Sequence, residues 1–203
     1  MKEDFQTLAY DVFAPKLPEE LTLEEQKRAL RSHTLFQPKH DKISGDFKKL
    51  KARFVGDGST QDRSNYEDVA SATVATQSIF MLAAINAAER RKVATVDIPG
   101  AFLQADMDAT GDKVNIRIDK HTAAIMVNLR PEWAKFVRKS DGVLFAELNK
   151  ALYGLIESSL RWYKDISGYL KSLGYVPNPK DCCVFNRVQE GVQCTVTLHV
   201  DDL

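Results

Sequence analysis

The amino-acid sequence predicts an α+β fold. Short β-prone runs and helix-period segments are intermixed along the chain without strict βαβ alternation. The 203 residues, 44% apolar and 28% charged, suffice to bury a core and exclude a disordered or fibrous chain. No internal repeat or low-complexity tract divides the sequence, which excludes solenoids and arrays. The longest apolar run, Ile79 to Ile85, is too short to span a bilayer, and Met1-Lys2-Glu3-Asp4 opens no apolar signal segment, so no membrane and no secretion are expected. Cys182, Cys183 and Cys194 fit neither a paired disulfide framework nor a C-x-x-C zinc pattern, and free thiols in a reducing intracellular setting are expected.

Taken in order, Thr22 and Glu25 have capping-box spacing ahead of a short helix over Leu23 to Arg31. Residues 34–38 and 47–55 flank the turn-rich Lys42-Ile43-Ser44-Gly45-Asp46 and read as a hairpin. Val74, Met81, Leu82, Ile85 and Ala88 predict an amphipathic helix from Thr73 to Arg91. Val93-Ala94-Thr95-Val96 is a β-prone run that delivers Asp97 to a strand edge before the Pro99-Gly100 break. Further strands are expected over Val114 to Ile118, Val143 to Leu148, Cys182 to Arg187 and Val192 to Val200. Helices are expected near Thr122 to Leu129, Pro131 to Arg138 and Ser158 to Leu173.

Net charge is formally zero, which excludes a uniformly basic binder, but charge is unevenly spread. Between Lys39 and Arg53 stand six basic residues, Lys39, Lys42, Lys48, Lys49, Lys51 and Arg53, against the two acids Asp41 and Asp46. Such a patch is either a solvated hairpin face or a surface for phosphates. Asp97 follows one β run and Asp201-Asp202 another. On adjacent strands these carboxylates would repel one another unless a divalent cation neutralised them, and hard oxygen donors suit Mg²⁺. Two such ions could drive an in-line displacement, the chemistry of polymerases and nucleases. An acid pair alone reads equally as a surface turn.

Ordered blocks decide between these readings. Thr95-Val96-Asp97-Ile98-Pro99-Gly100-Ala101-Phe102-Leu103-Gln104-Ala105-Asp106-Met107 resembles the first catalytic motif of copia-type retrotransposon reverse transcriptases, and Val200-Asp201-Asp202-Leu203 resembles their Val-Asp-Asp-Leu box. Leu148 to Ser159, with Leu152-Tyr153-Gly154 at its centre, and Trp162-Tyr163 are similar to the family's Leu-Tyr-Gly segment and downstream Trp-Tyr. Lys49 to Val55, Gln61-Asp62-Arg63 and Thr73 to Gln77 are similar to its fingers region. The resemblance covers residues 34–203. The sequence departs from the pattern at His199, where the family has an aromatic, in the Val55 to Gln61 loop, at Ala72 and at Leu160-Arg161.

The resemblance implies a right-hand polymerase, with fingers over 33–73 and 112–153 and an incomplete palm over 74–111 and 154–203. The palm would be a ferredoxin-like antiparallel sheet backed by helices, and residues 1–32 would form a helical lead-in. The implied activity is RNA-directed DNA polymerisation with two Mg²⁺ ions, or Mn²⁺ in their place. Asp97, Asp201 and Asp202 would be catalytic and hold the metals, aided by the Ile98 carbonyl. Phe102 would be the steric gate against a 2′-hydroxyl, and Ala101 would let the sugar approach. Tyr153 and Gly154 would line the incoming nucleotide, and Lys51 with Arg53 would face its triphosphate or the template. The implied partners are an RNA or DNA template with primer, deoxynucleoside triphosphates, and the rest of a Pol polyprotein with thumb, RNase H and integrase, in a cytoplasmic particle or the nucleus. Because the chain stops on Asp201-Asp202-Leu203 at a strand tip, a longer polypeptide is expected. Residues 1–203 alone are expected not to polymerise, for want of a returning strand, primer grip and thumb. A non-catalytic remnant with residual nucleic-acid binding is the alternative, and a metal-dependent nuclease fits poorly because hydrolysis needs no nucleotide pocket.

Overall fold

The computed structural model describes residues 8–66, 69–107 and 113–203. In chain order its elements are β1 (Phe13–Lys16), α1 (Leu23–Arg28), β2 (Leu30–His40), β3 (Phe47–Gly56), α2 (Thr76–Ala88), β4 (Asn115–Ile118), α3 (Lys120–Leu129), β5 (Leu144–Leu148), α4 (Ser158–Ser172), β6 (Val176–Asn178), β7 (Asp181–Gln189) and β8 (Val192–Thr197). Strands and helices are mixed as an α+β chain. The described residues fall into two units, 8–66 with 102–158, and 69–101 with 159–203. The expected boundary at 111/112 and the first seven residues of the expected lead-in lie outside the described residues.

The first unit is built on a five-stranded sheet in the order β1-β5-β4-β2-β3, antiparallel except for the short β2·β4 pairing. Sequence reading had the segment before residue 33 as a helical lead-in; instead β1 forms a sheet edge and β2 begins at Leu30. The helix within it ends at Arg28, three residues before the expected Arg31, because the backbone becomes extended at Ala29 and enters β2. Its start is as expected. The Thr22 hydroxyl accepts from the Glu25 N–H, and the Glu25 carboxylate accepts from the Thr22 N–H at 2.7 Å, which holds that carboxyl below its ordinary pKa.

Directly paired residues share a sheet face, so the pairings assign both faces. On one face Leu30, Phe54, Ile116, Leu144 and Ala146 are buried in the main core with Met126 and Trp133. On the other, Phe145 joins a small cluster with Leu21, Ala29 and Val143 beside α1. β2 and β3 continue beyond the core as a long hairpin on which Leu35, Phe36, Phe47 and Leu50 are exposed. Its turn is closed by Asp41, whose Oδ1 accepts from the Ile43 and Ser44 N–H groups, and by Gly45 at φ 77°.

In the second unit β6-β7-β8 form an antiparallel sheet. α4 turns Trp162, Ile166 and Leu170 inward at four-residue spacing, as its periodicity predicts. α2 differs from expectation. It spans Thr76–Ala88, shorter than Thr73 to Arg91, and none of its residues is buried. Phe80 and Met81 are 70% and 64% exposed, because its apolar residues run round the whole circumference and form no single stripe. Val93 to Val96 is not a strand either. Its end pairs with Leu203 through two backbone hydrogen bonds and leads into the isolated Asp97·Asp202 bridge. No helix among the described residues is long and apolar enough to cross a membrane.

Candidate active site

The expected site residues divide between the units. In the second unit, Asp97 forms an isolated antiparallel bridge with Asp202. Val96 and Leu203 exchange backbone hydrogen bonds of 3.0 and 2.9 Å, and the Ile98 N–H donates to the Asp201 carbonyl at 2.8 Å. His199 and Asp202 exchange bonds of 2.9 and 3.0 Å, closing a two-residue turn with Val200 and Asp201 at its tip. Asp202 and Leu203 run back antiparallel to His199 and beside Val96, two residues that do not amount to the returning strand the sequence reading expects.

Direct antiparallel partners have Cβ atoms about 5 Å apart on one face, so Asp97 and Asp202 carry their carboxyl groups side by side. All three acids are exposed, and among the described residues no Lys or Arg ion-pairs with them. The donor set is all-oxygen and suits a hard divalent cation. The three carboxylates are nonetheless not drawn together: among the described residues no group of three or more His, Cys, Asp or Glu is arranged to hold a metal.

Val200 has φ 59°, a left-handed conformation that costs a β-branched residue about 1–2 kcal/mol. What holds it is Trp162 on α4, buried and donating its indole N–H to the Val200 carbonyl at 2.6 Å. Trp162 thus fixes the acid turn. Asp181 has no counterpart in the sequence reading. Partial burial pushes its carboxyl up, but hydrogen bonds from the Ser78 hydroxyl, the Ala75 N–H and the Cys183 N–H outweigh this and lower it. It joins the start of α2 to β7. No local pattern marks that role, since the partners lie more than a hundred positions apart.

The remaining residues are in the first unit, apart from Ile98 and the buried Ala101, which stay with Asp97. Phe102, half-buried at the start of this unit's second segment, stacks at a tilt on Tyr153 with ring centroids 5.1 Å apart. Reciprocal backbone pairing around Asp106 and Lys150 brings the two segments together. The Tyr153 carbonyl accepts from the Gly56 N–H at 2.8 Å, joining this pair to the end of β3. Gly154 has φ 90°, and a Cβ there would overlap the Gly56 carbonyl oxygen. Gly58 in turn admits no Cβ against the Gly154 carbonyl. Gln61 completes the junction, its Oε1 accepting from the Ile156 N–H at 2.9 Å and its Nε2 donating to the Tyr66 hydroxyl. Lys51 and Arg53 lie upstream on β3, on the face opposite the buried Phe54.

A family model described as reverse transcriptase (RNA-dependent DNA polymerase) matches residues 19–203, beginning ahead of the expected residue 34. The retrovirus-related Pol polyprotein from transposon TNT 1-94 of Nicotiana tabacum is 29% identical over 185 residues, 89% of this chain and 12% of that polyprotein. The transposon Ty1-MR1 Gag-Pol polyprotein of Saccharomyces cerevisiae is 29% identical over 181 residues, 88% of this chain and 9% of that polyprotein. The chain thus spans about a tenth of the length of these relatives. No solved structure matches. With a family match over most of its length, the chain belongs to the reverse transcriptase (RNA-dependent DNA polymerase) family, and it is similar to a region of copia-type retrotransposon Pol polyproteins.

Proposed function

We propose that this chain provides the nucleotidyl-transfer site of an RNA-directed DNA polymerase, with Asp97, Asp201 and Asp202 as its catalytic carboxylates. The observation that carries the reading is the direct pairing of Asp97 with Asp202 across the family's two acidic motifs. Asp97, with the Ile98 carbonyl, would hold both divalent cations, Mg²⁺ or Mn²⁺, Asp201 would hold the one that activates the primer hydroxyl, and Asp202 would assist. Bound there, such ions lower the pKa of a primer 3′-hydroxyl and neutralise charge on the leaving pyrophosphate. Phe102 would crowd a ribose 2′-hydroxyl, braced by Tyr153, while Ala101 leaves room for the sugar. Gly154 would keep the backbone close beneath the nucleotide, and Lys51 and Arg53 would meet the triphosphate or template phosphates.

In this reading the first unit corresponds to fingers and the second to a ferredoxin-like palm. The whole protein would use a primed RNA or DNA template and deoxynucleoside triphosphates alongside the thumb, RNase H and integrase of its Pol polyprotein, in a cytoplasmic particle or the nucleus. The test is templated primer extension by a Pol protein carrying this region. Asp97→Asn should lower the rate at least 10³-fold, on the order expected for loss of a metal-mediated charge stabilisation. Phe102→Val should raise ribonucleotide incorporation relative to deoxynucleotide. Retained extension in Asp97→Asn would refute the assignment.

A second reading is a non-catalytic remnant that still binds nucleic acid, for which the described residues hold no group of three acids arranged around a metal. Mn²⁺ titration of the 203-residue chain separates the two. Binding that Asp97→Asn and Asp202→Asn each weaken supports the polymerase site, and its absence supports the remnant.

A further inference from the structure

The first unit holds a half-open cavity of about 370 Å³ between α1 and the sheet face opposite the main core. Its cations are Lys27, Arg31, Arg117 and Arg138, with Phe145 as its apolar floor. Register explains the gathering. Arg31 on β2 pairs with Arg117 on β4, which pairs with Phe145 on β5, so all three stand in one row on one face. Arg138 crosses the Phe145 ring at 5.1 Å and is committed to protein partners, donating to both oxygens of Asp141 at 2.9 and 2.6 Å and to the Gln26 amide oxygen. Hydrogen bonding from Arg138 holds the Asp141 carboxyl down at about 2. Arg117 lies 3.9 Å from the same carboxylate, at the limit of an ion pair. Arg31 and Lys27 have no ion pair among the described residues, although Asp57 is close enough to Arg31 and His33 to feel their charge. The cavity lining thus carries four cations and no carboxylate, with Asp141 beside it paired to Arg138 and reached by Arg117.

The same face does not end at the pocket. Arg31, His33, Leu35 and Gln37 alternate along β2, and Leu35 pairs with Arg53, Gln37 with Lys51 and Lys39 with Lys49. Beyond His33, Val55 and Leu35, the cations Arg53, Lys51, Lys49 and Lys39 therefore continue on this face along the hairpin. An enclosed pocket with one or two cations would suit a small anion; a half-open one continuous with a cationic strand face suits a polyanion that extends along it. We propose that this cavity is a phosphodiester-binding site that seats the backbone of a single nucleic-acid strand, whose next phosphates lie along Arg53, Lys51 and Lys49. The proposal deepens the polymerase reading and rests on it for the identity of the polyanion.

The test is fluorescence anisotropy of a labelled single-stranded RNA of about 15 nucleotides, long enough for the site sizes of strand-binding grooves, titrated with the 203-residue chain across a salt series. Arg31→Ala with Arg117→Ala removes two exposed side chains without touching the core, and circular dichroism verifies folding. Loss of two phosphate contacts should reduce the salt slope by about 1.4 and lower affinity roughly 10- to 30-fold near 0.1 M salt. Unchanged affinity and slope in the folded double variant would overturn the site, as would absence of RNA binding by the parent. Tripolyphosphate as competitor distinguishes the sources. Displacement of RNA only at a large excess supports a strand site, whereas tight tripolyphosphate binding that the double variant loses would make it a pocket for small polyphosphates and overturn the strand assignment. None of these outcomes depends on Mn²⁺ binding at Asp97 and Asp202, which judges the polymerase reading separately.

Discussion

Trp162→Phe tests how the acid turn is held. The substitution keeps an aromatic ring in the buried position on α4 but deletes the indole N–H that donates to the Val200 carbonyl at 2.6 Å. A neutral hydrogen bond of this kind contributes about 1 kcal/mol net. Indole exceeds phenyl by roughly 40 Å² of apolar surface, which at about 25 cal/mol per Å² adds about 1 kcal/mol for a side chain that is 5% exposed. The sum, about 2 kcal/mol, acts where Val200 already sits at φ 59° and where each backbone bond of the turn depends on its neighbour. Local opening should therefore become about 30-fold more frequent. Native-state amide hydrogen exchange reads this directly, because the Ile98 and His199 N–H groups are both bonded within the paired acid segments. Their protection should fall by that factor, while amides of the β7–β8 ladder change much less. Tyr163→Phe, one residue along, is the control: it loses a 3.2 Å bond from an exposed hydroxyl to the Cys182 carbonyl and should leave Ile98 and His199 protected. Equal protection of these amides in Trp162→Phe and the parent would refute the claim that the indole braces the turn.

Other perturbations have equally definite expectations. Gly154→Ala should destabilise the first unit by about 3 kcal/mol or more, since it adds a clash with the Gly56 carbonyl to a backbone at φ 90°, and a urea midpoint near the parent's would contradict that. Asp181→Ala should cost about 2 kcal/mol by leaving the Ser78, Ala75 and Cys183 donors without their charged acceptor, seen as lost exchange protection at Cys183. Asp141 has a folded pKa lowered to about 2 from an ordinary 3.8, so its stabilising contribution is complete above about pH 4 and disappears as pH falls through 2. Because the Asp141 side chain is more than a third exposed, that contribution should stay below about 1 kcal/mol. The melting temperature of Asp141→Asn should accordingly approach the parent's between pH 4 and pH 2.

The hairpin of β2 and β3 was legible because alternation and the Asp41 to Asp46 turn are local signals, and strong ones. The capping box at Thr22 was legible for the same reason. The Thr95 to Met107 block and the Val200 to Leu203 box pointed to each other through the family pattern, and the structure pairs Asp97 with Asp202. The sheet edge at β1 was missed because four residues of mixed character, Phe13-Ala14-Pro15-Lys16, carry no alternation to detect. α2 was misjudged in length and sidedness because apolar residues at helical spacing do not reveal that others fill the gaps between them.

By itself the sequence determined the β2–β3 hairpin, the capping box, the acidic motifs and the excess of cations between Lys39 and Arg53, all properties written within a few neighbouring residues. Only the tertiary structure decided which face those cations share, that Arg31 and Arg117 stand side by side, that Gly154 is glycine because Gly56 lies against it, and that Trp162 reaches Val200. These depend on strand register and on close packing between segments distant in sequence. A shift of one residue in register would have sent Arg31 and Arg117 to the opposite face of the sheet, and no local propensity specifies which register the buried core selects.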